Sequence, residues 1–148
     1  MEAVIFVGIQ AVGKTSFFKE RFFATHIRLS LDMLRTRHRE QILVRACLEA
    51  KQPFVIDNTN PTSADRARYI SLAKSHRFRV IGYFFQSSLD EALTRNAART
   101  GRECVPEIGL RAALKRLQAP SLSEGFDALY TVRLSDGVFI VEASSDTS

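Results

Sequence analysis

Gly8-Ile9-Gln10-Ala11-Val12-Gly13-Lys14-Thr15 follows directly on the apolar run Ala3-Val4-Ile5-Phe6-Val7, and the two stretches read together decide the fold. The apolar run is a short buried strand. The segment after it has the spacing G-x-x-x-x-G-K-[ST], in which a turn rich in backbone N–H groups leads into a helix. That helix is expected to begin near Gly13 and to run through Phe17, Phe18 and Phe22. Successive amides at a helix start form an anion nest, reinforced by the positive end of the helix dipole. Gly8, Gln10, Ala11, Val12, Gly13, Lys14, Thr15 and Ser16 are therefore expected to hold the phosphates of a nucleoside triphosphate. Lys14 reaches the outer phosphates and Thr15 offers its hydroxyl to Mg²⁺.

At 148 residues the chain is expected to be a single domain, 1–148. The net charge of +5 comes from 21 Lys and Arg against 16 Asp and Glu. Most of the basic residues are Arg, which grips phosphate bidentately. A dedicated duplex binder carries a denser basic patch, so any nucleic-acid contact is expected to be short. Cys47 and Cys104 have neither metal-ligand spacing nor a C-x-x-C partner, which points to reduced thiols without a disulfide. The first strand starts right after Met1-Glu2, and no apolar run approaches the ~20 residues of a membrane span. A soluble, cytoplasmic protein is the expectation.

His26 to Leu29 reads as a second strand, followed by one long helix from about Leu31 to Gln52, N-capped by Ser30 and stopped by Pro53. Its apolar positions are Leu34, Ile42, Leu43, Ala46, Cys47 and Ala50. A strand from Phe54 to Asp57 leads to the turn Asn58-Thr59-Asn60-Pro61. Thr62 and Asp65 then form an acidic capping box for the next helix. Further expectations are a strand from Arg79 to Phe85, a helix from Leu89 to Arg99, a basic connection from Thr100 to Val105, and a helix from Pro106 to about Gln118. At the end, Asp136-Gly137 joins two strands in a hairpin. Alternating strands and helices predict an α/β fold: a parallel sheet flanked by helices, with an Arg-bearing lid at about 95–106 and a C-terminal β-hairpin. Ligands of such sheets bind beyond the carboxyl ends of the strands, where Gly8 and Asp57 both fall.

Three further sets of residues bear on chemistry. Asp32 and Arg35 lie one turn apart on one helical face, either as a dipole-stabilised pair or as a proton acceptor with a phosphate-binding partner. Asp57, Asn58 and Asn60 leave the third strand, either as turn formers or as groups serving metal and acceptor. Arg95, Arg99 and Arg102 form either a solvated basic face or a lid that closes on transferring phosphate. His26 and His76 are placed at strand edges and His38 on an exposed helix face, with no metal-ligand spacing among them.

With these residues in hand, the chain resembles the kinase domain of the 5′-polynucleotide kinases, from Val4 to about Leu129. The loop Gly8 to Thr15 carries the resemblance, together with Asp32 and Arg35, Asp57 to Pro61 with Asp65-Arg66-Ala67-Arg68-Tyr69, and Arg95-Asn96-x-x-Arg99 before Val105-Pro106. Ala119-Pro120-Ser121 and Glu124-Gly125-Phe126 look like the animal form. The resemblance implies ATP and Mg²⁺ at Lys14 and Thr15, Asp32 as general base on a 5′-hydroxyl, and Arg35 on the phosphate next to it. It also implies Asp57 on the acceptor side and Arg95 and Arg99 over the donor phosphates. The chain departs from the family at Gln10-Ala11, where many members carry Pro-Gly, and at Leu31-Asp32-Met33, where Asp32 sits between apolar residues rather than among polar neighbours. The expected function is ATP-dependent transfer of the γ-phosphate to a hydroxyl, that of a single-stranded or 5′-end nucleic acid first. The alternatives are a small-molecule kinase (nucleoside, sugar or antibiotic) and a non-catalytic nucleotide-binding module.

Overall fold

A computed structural model describes residues 1–99, 101 and 104–145. The strands are β1 (Glu2–Val7), β2 (Ile27–Leu29), β3 (Phe54–Ile56), β4 (Arg79–Phe85), β5 (Ala128–Ser135) and β6 (Val138–Ala143). Between them run α1 (Lys14–Arg21), α2 (Leu31–Leu34), α3 (Arg37–Ala50), α4 (Ser63–Ser75), α5 (Leu89–Ala97) and α6 (Glu107–Arg116). The six strands form one sheet in the order β2-β3-β1-β4-β5-β6. β6 pairs antiparallel with β5 through the expected hairpin, and the other pairings are parallel. The expected α/β architecture is thus observed.

The pleat of β1 explains why it sits in the middle. Ala3, Ile5 and Val7 point to one face, where Val44, Cys47 and Leu48 of α3 and Tyr69, Ile70 and Ala73 of α4 cover them. Val4 and Phe6 point to the other, into Phe17, Phe18 and Phe22 and against Ala92 of α5. Rings of Phe6, Phe17, Phe22, Tyr83 and Phe85 meet there mostly edge to face, with centroids 5.0–6.0 Å apart. Both faces of β1 are therefore dry, and its carboxyl end delivers Gly8 to a fixed point.

The long helix expected from Leu31 to Gln52 is instead two helices. Arg35 adopts φ 75°, which ends α2, and extended Thr36 restarts the chain, its hydroxyl accepting the Arg39 amide at 3.2 Å to cap α3. Ser30 makes no side-chain cap for α2, whose first amide, at Leu31, donates to Asn58 Oδ1 at 2.9 Å. The inward face of α3 is Glu40, Val44, Cys47 and Leu48, whereas Ile42 and Leu43 are exposed. Two smaller boundaries also move: α5 ends at Ala97 and α6 at Arg116. His76 caps α4 rather than edging a strand. The capping box of Thr62 and Asp65 forms as expected.

Candidate active site

Gly13 has φ 92°, open to glycine and strained for other residues, and it starts α1 without a side-chain cap. The first amides of α1 therefore remain available to a ligand. An added Cβ on Gly13 would lie 3.2 Å from the Phe139 ring of β6, which would have to give by a few tenths of an ångström, on top of the backbone strain. Lys14 folds back over the loop, donating from Nζ to the Gly8 carbonyl at 2.7 Å and the Ile9 carbonyl at 2.8 Å. Burial pulls its pKa from 10.5 down to about 8, with Asp57 and Asp32 pushing the other way and Arg99 adding to the fall.

A cavity of about 680 Å³ opens above this turn. Gln10, Ala11, Val12, Gly13, Lys14, Thr15 and Ser16 line it, as do Asp32, Asp57, Asn58, Arg95 and Arg99. Residues from four separate segments thus share one chamber. Gly8 forms the base of the turn, its amide donating to the Thr59 carbonyl at 3.0 Å. Gly8 itself does not line the cavity, and neither do two further expected site residues. Arg35 sits exposed at the break between α2 and α3. Asn60 is buried, donating from Nδ2 to the Phe6 carbonyl at 2.7 Å. Arg102 lies outside the described residues.

Asp57 is 5% exposed and its Oδ2 accepts from Arg28 Nε at 2.7 Å and from Thr15 Oγ1 at 3.3 Å. Arg28 also donates to Thr15 Oγ1 at 3.2 Å. Hydroxyl and carboxylate are hard oxygen donors of the kind Mg²⁺ takes. Among the described residues no three His, Cys, Asp or Glu gather into a metal cage. That donor set fits an ion carried in with phosphate oxygens rather than one caged by protein.

Among the described residues, Arg99 Nη1 is buried at this wall without a hydrogen-bond partner, and so is Gln10 Oε1. A donor-only guanidinium left unpaired beside a phosphate-type nest suits an oxyanion. Arg95 is held by Ser87 Oγ at 3.2 Å, and buried Asn96 clasps the backbone of Val105 from both sides of its amide, fixing the base of the connection after α5. Thr59, read in the sequence together with Asp57, Asn58 and Asn60, lines the cavity, and so do Arg28, Leu31 and Lys19, which the sequence reading gave no role. A signal existed for two. Lys19 lies four residues after Thr15 on one helical face, and Arg28 is a charge inside a short strand near its carboxyl end.

Strand order, glycine loop and shared cavity define a phosphate-loop nucleotide-binding fold of the kinase type. The sequence model of the AAA_33 family, an AAA domain, matches residues 4–120, and the chain belongs to that family. It is 30% identical over 132 residues to a bifunctional polynucleotide phosphatase/kinase of Schizosaccharomyces pombe, a match covering 84% of this chain and 32% of the relative. The chain spans about a third of the length of the curated relatives it matches. Among solved structures, a gluconokinase from Sinorhizobium meliloti superposes with TM-score 0.65 at 17% identity, covering 89% of this chain and 82% of that one. A Chaetomium thermophilum protein in complex with ADP-AlF3 gives 0.63 at 16% identity, covering 90% of each. At such identities the structures share the fold. No described helix is long and apolar enough to cross a membrane.

Proposed function

We propose that this protein is an ATP-dependent kinase that moves the γ-phosphate to the 5′-hydroxyl of DNA or RNA. The observation that carries the reading is that Asp32 opens into the same cavity as Lys14, Thr15 and Arg99, close enough for its charge to act on the Lys14 amine. The likeness to the yeast phosphatase/kinase supports the choice of acceptor.

In this reading Lys14 exchanges its two carbonyl partners for phosphate oxygens, and the amides of the loop hold the rest of the triphosphate. Thr15, with Asp57 beside it, would hold Mg²⁺, which would neutralise phosphate charge. Asp32 takes the proton of the acceptor hydroxyl as its oxygen bonds to the γ-phosphorus and the bond to the β-phosphate oxygen breaks. Arg99 offers its unpaired Nη1 to the charge spread over the transferring group.

The test incubates the protein with γ-labelled ATP, 5′-hydroxyl oligonucleotides and a pool of small metabolites. Label on the oligonucleotide supports the proposal. Label on a metabolite alone moves the acceptor to a small molecule, and ATP binding without transfer leaves a nucleotide-binding module. Asp32→Ala is expected to cut transfer by roughly 10²- to 10⁴-fold while ATP affinity stays within about twofold. Wild-type turnover in that variant removes Asp32 as base. Raising salt should weaken an oligonucleotide acceptor gripped through its phosphates and leave a neutral metabolite unaffected.

A further inference from the structure

Glu40 of α3 is 1% exposed and does not line the cavity, yet its carboxylate joins three segments. Oε1 accepts from the Tyr69 hydroxyl at 2.6 Å and from Arg37 Nη1 at 3.1 Å. Oε2 accepts from Asn58 Nδ2 at 2.8 Å. Asn58 in turn presents Oδ1 to the amide of Leu31, the residue before Asp32. Two hydrogen bonds therefore run from a buried charge to the start of the helix that carries Asp32.

The direction of those bonds matters. A carboxylate only accepts, so it fixes which end of the Asn58 amide faces it, and the carbonyl end is left for Leu31. With the amide turned over, donor would meet donor at Leu31 and acceptor would meet acceptor at Glu40. The helix being held is short: α2 has four residues, no side-chain cap from Ser30, and a break at Arg35 with φ 75°. A helix of one turn has no stability of its own and takes its orientation from its attachments.

We propose that Glu40 is a positioning residue for phosphoryl transfer, acting through Asn58 to fix the helix that aims Asp32 into the cavity. The proposal rests on Asp32 being the base. Its signature is a loss of turnover without a loss of nucleotide affinity, since Glu40 touches neither the glycine loop nor the cavity. Misplacing a reacting group by about 1 Å can cost ~10²-fold, so a large effect from a distant carboxylate is reasonable.

The experiment follows amide hydrogen exchange, ATP affinity and oligonucleotide phosphorylation in the full chain carrying Glu40→Ala, Glu40→Gln or Asn58→Ala. Glu40→Ala is expected to speed exchange at Leu31 to Leu34 by ~10-fold or more and to lower kcat by ~10- to 100-fold, with the Kd for ATP within about twofold. Glu40→Gln, whose carbonyl still accepts from Asn58, should recover most of both. Asn58→Ala leaves the bonds among Glu40, Tyr69 and Arg37 in place, so it serves if Glu40→Ala fails to fold, and it should free the same four amides. Unchanged exchange at those amides in Asn58→Ala, or equal loosening of α3, α4 and α2 in Glu40→Ala, overturns the proposal. Failure of the base reading looks different: Asp32→Ala then keeps full turnover, whatever the exchange of α2.

Discussion

Lys14 shows what one buried amine costs and supplies in a glycine-rich loop. Its folded pKa of about 8 lies below the ordinary 10.5, so between those values the unfolded chain binds more protons than the folded one. The contribution of this group to stability therefore rises as pH climbs from about 8 to 10.5. Phosphate binding reverses the effect, because an anion beside the amine favours its charged form. Above pH 8 the nucleotide must bring a proton with it. ATP affinity should be flat up to pH 7 and about tenfold weaker at pH 9, a dependence that vanishes in Lys14→Met. Calorimetric titration across that range checks both. Two residues upstream of Gly13, Ala11 holds φ 63° at a position where the 5′-polynucleotide kinases that this chain resembles often carry glycine. Left-handed backbone costs an L-residue roughly 1 to 2 kcal/mol, part of which the greater freedom of unfolded glycine returns. Ala11→Gly is expected to stabilise by about 1 kcal/mol, seen as a higher urea midpoint at unchanged slope.

At the scale of elements, strands were legible because their apolar runs are continuous, and β4 falls where the sequence places it, Arg79–Phe85. The break after α2 was not legible. Nothing at Arg35 itself forbids a helix; the break is favoured by the adjacent Thr36, whose hydroxyl caps α3, and by the distant Asn58, which takes the first amide of α2. The inward face of α3 was misread for a related reason. A Glu counts as polar in any periodic pattern, yet Glu40 is the buried anchor of that face because Tyr69, Arg37 and Asn58 satisfy it. The place of the glycine loop between β1 and α1 was readable, since its conformation is backbone and local. Arg28 went unnoticed because its partners, Thr15 and Asp57, are 13 and 29 residues away. Thr36→Ala removes the cap of α3 and should cost ~1 kcal/mol of global stability, measured by chemical unfolding.

Across the whole molecule, two stretches that carry the family resemblance turn out to be one structure. Arg66, fully buried in α4, pairs with Glu124 through Nε at 2.8 Å and Nη2 at 3.1 Å. Its remaining arm, Nη1, donates to the Asn60 carbonyl at 2.8 Å. Asn60 holds the Phe6 carbonyl, and the neighbouring Thr59 carbonyl accepts the Gly8 amide. One guanidinium thus ties the turn at Leu122–Glu124, far along the chain, to the strand end from which the phosphate loop springs. Arg66→Met strands the partly buried Glu124 carboxylate beside a buried apolar side chain and should cost ~3 to 5 kcal/mol. Adding Glu124→Gln removes that orphaned charge, so the double variant should be more stable than Arg66→Met alone. Urea unfolding of the two single variants and the double measures the coupling. Additive losses would mean that the pair is a surface-like contact with no part in holding the loop to the sheet.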